Sequence, residues 1–237
     1  MMFFRTLAVW GLGIPITAAL FFFVMAAAVF DHSGSYAHSM GRQWSRIILL
    51  LAGVKVTITG AENIPKDRPV IFASNHQGAF DIPALQGYIP VQFRWIAKKS
   101  IFKIPFLGWS MRLAGYIAID RDRAAKALRS IDEASKKIKN GTSVLIFPEG
   151  TRSLKDELLP FKRGSFLLAV KSGVPIVPVS IRGTREIMER GGFLIRRSAV
   201  RITFGNPIPA EGASESELMS RTKGAIEASF KESKRIG

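Results

Sequence analysis

Asn75 and His76 stand at the end of an apolar run that begins at Val70, and Asp81 follows after four intervening residues. On one continuous helix a spacing of five would leave His76 and Asp81 about 140° apart. A strand end that turns at Gly78 into a helix can instead bring them together. A carboxylate on one imidazole nitrogen fixes the tautomer and leaves the other nitrogen available as a base. Taken alone the pair also has the form of a structural histidine beside a carboxylate, so its neighbours in the chain must decide.

Two further loops have the same build. Gly115-Tyr-Ile-Ala-Ile-Asp120-Arg121 and Val144-Leu-Ile-Phe147-Pro148-Glu149-Gly150-Thr151-Arg152-Ser153 each send an arginine out of an apolar run. Gly150 permits close backbone approach and Thr151 adds a hydroxyl. Such groups suit a phosphate, since a guanidinium engages two of its oxygens while backbone N–H groups take others. For either arginine alone, a surface salt bridge is the competing use.

The chain contains no cysteine, no G-x-S-x-G turn, no H-E-x-x-H pair and no P-loop. A covalent serine or thiol intermediate and a zinc-bound hydroxide therefore lack support, and no metal is called for. A base at His76 would then activate a hydroxyl of the substrate for direct transfer.

The elements that must position these loops read as an α/β domain. Strands are expected at Lys55–Thr59, Val70–Ser74, Phe93–Ala97, Tyr116–Ile119, Ser143–Phe147, Ile176–Ile181 and Val200–Phe204. Helices are expected at Tyr36–Leu51, Phe80–Gln86, Ile101–Leu113, Arg123–Lys139, Gly164–Lys171 and Glu215–Lys231. The clearest is Arg123–Lys139, with Leu128, Ile131 and Ile138 on one stripe, Asp122 as its cap and Asn140-Gly141 as its stop.

Ahead of this domain, Leu7 to Phe30 is free of charge for 24 positions, long enough at about 1.5 Å per helical residue to cover a hydrocarbon core of about 30 Å. Pro15, following Gly11 and Gly13, could kink it into a tilted or re-entrant insertion. The apolar stretch Ile47–Val54 is too short to span, so a helix pair sunk in one leaflet is the alternative to a span. A cleaved signal peptide, with Arg5 as its basic flank and Ala26-Ala27-Ala28 at its end, is a third reading. The division expected is residues 1–53 as membrane-anchoring helices and residues 54–237 as the α/β domain.

Composition agrees with one domain plus an attachment. The 237 residues include 47% hydrophobic ones, too many for a disordered chain, and the lack of cysteine excludes a disulfide scaffold. Thirty-four basic against 18 acidic residues give +16, spread as +3, +6 and +7 over residues 1–60, 61–130 and 131–237. With no basic block and no recognisable nucleic-acid module, nucleic acid is not the expected partner. An anionic membrane is, since each basic side chain near such a surface adds about 1 kcal/mol of attraction.

In order along the chain, Asn75-His76 with Asp81, Gly115 through Arg121, Phe147-Pro-Glu-Gly-Thr-Arg152 and Val174-Pro-Ile-Val-Pro178-Val-Ser180 resemble the four motifs of the glycerophospholipid acyltransferase family. The resemblance runs from about Gly60 to Pro209, and is nearest to the bacterial 1-acyl-sn-glycerol-3-phosphate acyltransferases. It implies a single acyltransferase domain with a central mixed sheet flanked by helices, behind a membrane-associated helical segment. It also implies His76 as general base, Asp81 as its orienting carboxylate, and Asn75, Arg121, Glu149, Gly150, Thr151 and Arg152 in acceptor binding. Glu149 bears the wrong charge for a phosphate and could instead hold Arg121, Arg152 or the loop in place. Lys98 is expected to stabilise the thioester oxyanion, with Lys99 as the other candidate because Ser100 replaces the acidic residue often found next. Trp95, Phe102, Phe106 and Trp109 either line an acyl channel or are plain core.

The activity so implied is acyl transfer from acyl carrier protein or acyl-coenzyme A to the sn-2 hydroxyl of lysophosphatidic acid, giving phosphatidic acid, with no cofactor beyond the acyl donor. The site would face the cytoplasm at the inner membrane. Another lysophospholipid or a lyso-ornithine lipid is the alternative acceptor, and a non-catalytic binder of anionic lipid or nucleic acid the alternative of another class.

Overall fold

The computed structural model describes residues 1–120 and 123–235. Among them the helices are α1 (Met2–Leu7), α2 (Gly13–Ala27), α3 (Ser35–Leu51), α4 (Asp81–Tyr88), α5 (Leu107–Leu113), α6 (Ala124–Lys139), α7 (Arg163–Ser172) and α8 (Glu215–Arg235). The strands are β1 (Lys55–Thr59), β2 (Ile71–Ser74), β3 (Arg94–Lys98), β4 (Ile117–Ile119), β5 (Val144–Ile146), β6 (Ile176–Arg182) and β7 (Ala199–Phe204). They form one seven-stranded sheet in the order β1-β7-β6-β2-β5-β3-β4. From β6 to β4 all neighbours are parallel, β7 runs antiparallel to β6, and β1 runs parallel to β7. The mixed sheet follows from the two kinds of connection: helical crossovers join the parallel strands, and a helix-free stretch returns the chain from β6 to β7.

Strands buried on both faces read as unbroken apolar runs, and β2, β5 and most of β6 are of that kind. Two apolar layers result. One packs Phe72, Phe93, Val177 and Phe204 under α3 and α4, and the other packs Ile71, Ile146 and Ile176 under α6, α7 and α8. In α6 the buried stripe is Ile131, Ala134, Ser135 and Ile138. Leu128 does not join it, being 47% exposed, because it lies about 60° round the helix from Ile131. The α6 N-cap is Arg123, and the expected cap Asp122 lies outside the described residues. The helix expected over Ile101–Leu113 is divided into a 3-10 turn, Ile101–Lys103, and α5, since Pro105 removes a backbone donor and forces its predecessor out of the helical region.

At the N-terminus, α1 and α2 are joined through a π-helical turn, Ala8–Leu12, into one helix from Met2 to Ala27. Pro15 explains the wide turn: it has no N–H to offer the carbonyl one turn back, and the ladder loosens there. The helix lies along the domain. The Trp10 indole N–H donates to the Phe193 carbonyl (2.8 Å), the Ile195 N–H to the Thr6 hydroxyl (2.9 Å), and the Trp44 indole N–H to the Thr17 hydroxyl (2.8 Å). Near its end, Phe21 meets Phe106 and Trp109 with ring centroids 5.1 and 6.1 Å apart. The stretch Ile47–Val54, expected as a second lipid-facing element, is largely core: Ile48, Leu49, Ala52 and Val54 are buried against the sheet, and Leu50 faces out.

Candidate active site

The carboxyl ends of β2, β5, β3 and β6 lie along one edge of the sheet, because those strands are parallel. Each of these strands delivers a polar loop there, and open parallel sheets bind ligands at such edges. Beyond β2 the chain turns through His76, Gln77 and Gly78 and enters α4 at Asp81. The turn closes on the Asp81 carboxylate: its Oδ2 accepts the Gln77 N–H (2.6 Å) and the Gly78 N–H (2.9 Å), and sits 2.6 Å from His76 Nδ1. Asp81 is fully buried, whereas the His76 side chain keeps 14% of its surface. The carboxylate therefore holds the proton on Nδ1. Nε2 has no hydrogen-bond partner among the described residues and is the nitrogen left to act as a base.

The loop after β5 fixes the same histidine from other sides. Phe147 stacks on the imidazole, with centroids 3.9 Å apart and planes 9° from parallel. Glu149 Oε1 accepts the His76 N–H (2.8 Å), and the Ser153 N–H donates to the His76 carbonyl (2.8 Å). The other Glu149 oxygen accepts the Leu159 N–H (2.9 Å). Glu149 is 2% exposed, and burial pushes its carboxyl above the ordinary range, against the pull of those two N–H groups. Gly150, at φ +71°, closes the turn by donating to the Phe147 carbonyl (3.0 Å).

Two residues expected in acceptor binding spend their side-chain groups on backbone. Glu149 turns inward and each oxygen accepts a backbone N–H, so it braces the loop and the histidine, the use its charge suggested as the alternative to phosphate contact. Asn75 likewise spends its amide on the backbone of Ile181, donating to the carbonyl (2.9 Å) and accepting the N–H (2.8 Å), and so ties the histidine loop to β6. Thr151 and Arg152 are exposed at the edge. Arg152 lines a cavity of about 320 Å³ that reaches Gln77 and Gly78 and is also walled by Arg185, Arg190 and Arg196. Arg196 is paired with Glu189 (2.6 Å) and Arg185 leans toward Asp156 (4.0 Å). Arg152 and Arg190 have no acidic partner among the described residues. Arg121 lies outside the described residues.

Lys98 and Lys99 emerge exposed at the carboxyl end of β3, and Lys99 pairs with Asp120 (3.2 Å). Of the aromatic residues considered for an acyl channel, Trp95 and Phe102 are buried core, while Phe106 and Trp109 stand half open beside α2. Sequence reasoning missed four side chains at the site: the Phe147 ring as a platform, Arg185 and Arg190 in the cavity wall, and Thr184, whose hydroxyl meets Asp81. The signal for Thr184 is Gly183-Thr184 directly after an apolar strand, the same pattern that marked the other loops.

A family model described as Acyltransferase matches residues 55–182. The chloroplastic 1-acyl-sn-glycerol-3-phosphate acyltransferase of Brassica napus is 35% identical over 175 residues, which cover 73% of this chain and 50% of that protein. The human alpha form of the same enzyme is 31% identical over 204 residues, covering 84% of this chain and 71% of that protein. The chain thus spans about half the length of several relatives it matches. Among solved structures, the 1-acyl-sn-glycerophosphate acyltransferase PlsC of Thermotoga maritima superposes with a TM-score of 0.76 at 30% identity, covering 94% of this chain and 96% of that one.

Proposed function

The chain belongs to the Acyltransferase family, and on that premise we propose that it moves a fatty acyl group from a thioester to the sn-2 hydroxyl of lysophosphatidic acid, giving phosphatidic acid. The observation that carries this reading is the state of His76: Nδ1 is held by Asp81, Nε2 has no hydrogen-bond partner among the described residues, and the histidine backbone is clamped by the loop that sends Arg152 into the neighbouring cavity.

As the acceptor oxygen attacks the thioester carbonyl, Nε2 takes its proton. The new C–O bond forms, the C–S bond breaks, and the proton passes to the departing thiolate. Arg152, with Arg121 from the second motif, binds the acceptor phosphate and so sets the distance between hydroxyl and base, which is where much of the rate arises. The expanding charge on the thioester oxygen needs a fixed positive group or N–H donor. Lys98, at the carboxyl end of β3 on the same sheet edge, is the candidate for that role, with Lys99 as the other. Acyl carrier protein or acyl-coenzyme A serves as donor.

The N-terminal helix supports attachment to an anionic membrane. Its bonds to Phe193, Ile195 and Trp44 hold it against the domain along its length of about 39 Å. A perpendicular span would drag α3, with Arg42 and Arg46, into hydrocarbon, so the helix lies in one leaflet with Phe3, Phe4, Phe22 and Phe23 outward. The leaflet is the cytoplasmic one, where the acyl donors are. Incubation of the purified protein with lysophosphatidic acid and labelled acyl donors tests the activity directly. Formation of labelled phosphatidic acid that disappears in His76→Ala is the expected result, and absence of product with every donor overturns it.

A further inference from the structure

β6 ends at Arg182, and the next residue turns with φ +93°. A Cβ on Gly183 would come within 2.0 Å of the Ala199 carbonyl oxygen, so only glycine lets the chain leave β6 this close to β7. The turn delivers Thr184 to a fully buried position by the start of α4, where its hydroxyl donates to Asp81 Oδ1. From the other side, the Thr184 carbonyl oxygen lies 3.0 Å from where a Cβ of Gly78 would stand, so the histidine turn rests directly on this segment.

We infer that Thr184 is a positioning residue for the base, the second anchor that stops the Asp81 carboxylate from pivoting on the oxygen that holds His76. The inference rests on the acyl-transfer reading above only for its kinetic readout. Oδ2 carries three N–H donors, from His76, Gln77 and Gly78, and these alone fix a point. A donor on Oδ1 fixes the plane as well, and with it the direction of the imidazole and of Nε2. The threonine hydroxyl also satisfies a carboxylate oxygen that is wholly removed from water, where a missing donor is costly. A chain segment about a hundred residues away in sequence thereby decides where the base points.

Thr184→Val keeps the shape and removes the donor. The expected result is a fall in kcat of about 10- to 100-fold with acceptor KM within a few-fold, and recovery in Thr184→Ser. Combined with Asp81→Asn, the Val substitution should cost little more, because the carboxylate it positions is gone. Multiplicative losses in the double variant would reduce Thr184 to a structural role and overturn the inference, as would wild-type turnover in Thr184→Val. If Thr184→Val does not fold, Thr184→Cys, a near isostere of Thr184→Ser with a weak donor, should fall below Thr184→Ser in kcat, and equality of the two overturns the proposal. Nitrogen NMR of labelled histidine reads the same point without turnover. The wild type should show a single Nδ1–H form of His76 and Thr184→Val should lose it, and a spectrum that Thr184→Val leaves unchanged contradicts the inference whether or not the protein transfers acyl groups.

Discussion

The imidazole of His76 lies flat on the ring of Phe147, so a residue from the β5 loop sets the plane in which a residue from the β2 loop can act. Asp81 controls rotation within that plane through Nδ1, and the two restraints together leave Nε2 one direction. Removing the base itself, in His76→Ala, should lower kcat by at least about 10²-fold, and Asp81→Asn should impair it through the wrong tautomer. Phe147→Ala keeps both reacting partners and loosens their aim. Its kcat should fall toward about 10²-fold with acceptor KM little altered, and steady-state kinetics on the three variants would show whether the platform matters.

Arg152 is assigned to a part of the acceptor that does not react. Arg152→Ala should raise the acceptor KM by about 10- to 150-fold, the equivalent of roughly 1.5–3 kcal/mol for a charge-assisted contact, and affect the donor less. Arg121→Ala carries the same expectation. A comparison of lysophosphatidic acid with a lysolipid lacking the phosphate monoester gives the check: the wild type prefers the former, and the variants lose much of that preference. Unchanged preference in both would move the phosphate elsewhere.

His38 predicts a sensitivity to acid. It is fully buried, edge-on to Phe93 (4.8 Å), with Gln86 and Tyr116 near its ring. Burial, and then the Arg94 and Arg42 charges, depress its imidazole to about 3. The unfolded chain takes this proton near 6.5. Between those values the unfolded state binds more protons, so stability held above pH 6.5 is lost as pH falls, by about 2 kcal/mol at pH 5. Glu149 acts with opposite sign, because its raised carboxyl protonates first in the folded chain. Denaturant titrations at pH 7 and pH 5 should show a smaller loss in His38→Gln than in the wild type. Equal losses would remove His38 from the account.

The N-terminal helix covers Ile48 and Trp44 as well as facing outward, so its two roles must be separated. Deleting residues 1–30 should shift the protein from membranes into soluble or aggregated fractions, partly by uncovering α3. Serine at the exposed positions Phe3, Phe4, Phe22 and Phe23 leaves the inner face intact. That variant should stay folded by melting temperature and float poorly with anionic vesicles. Flotation equal to the wild type in high salt would mean the outward face is not the anchor.

The seven strands of the sheet were legible in the sequence to within a residue or two at each end, β2, β5 and β6 because strands buried on both faces must be continuous apolar runs and β1 and β7 because their apolar residues alternate. The helix over Ile101–Leu113 was overextended because Pro105 outweighs apolar spacing, and Leu128 was misplaced because a stripe drawn through three residues is wider than the face that packs. Ile47–Val54 read as lipid-facing for want of the sheet that covers it. At the site, His76, Asp81 and Arg152 were found from spacing and resemblance. What Asn75 and Glu149 touch, and that Thr184 matters at all, depends on pairings between residues far apart in sequence, which local pattern does not record.

The central place of β2 between β6 and β5 has a consequence in time. His76 and Asp81 leave the ribosome early, but β6, which must dock beside β2 before Asn75 and Asp81 find Ile181 and Thr184, lies 106 and 103 residues later along the chain at those two bonds. At roughly 5–20 residues per second, the nascent chain carries its apolar leading helix and an unaimed histidine for about 5–20 s. Pairings of such long sequence range also form late in folding. The protein can therefore reach a lipid surface well before it is competent to react there.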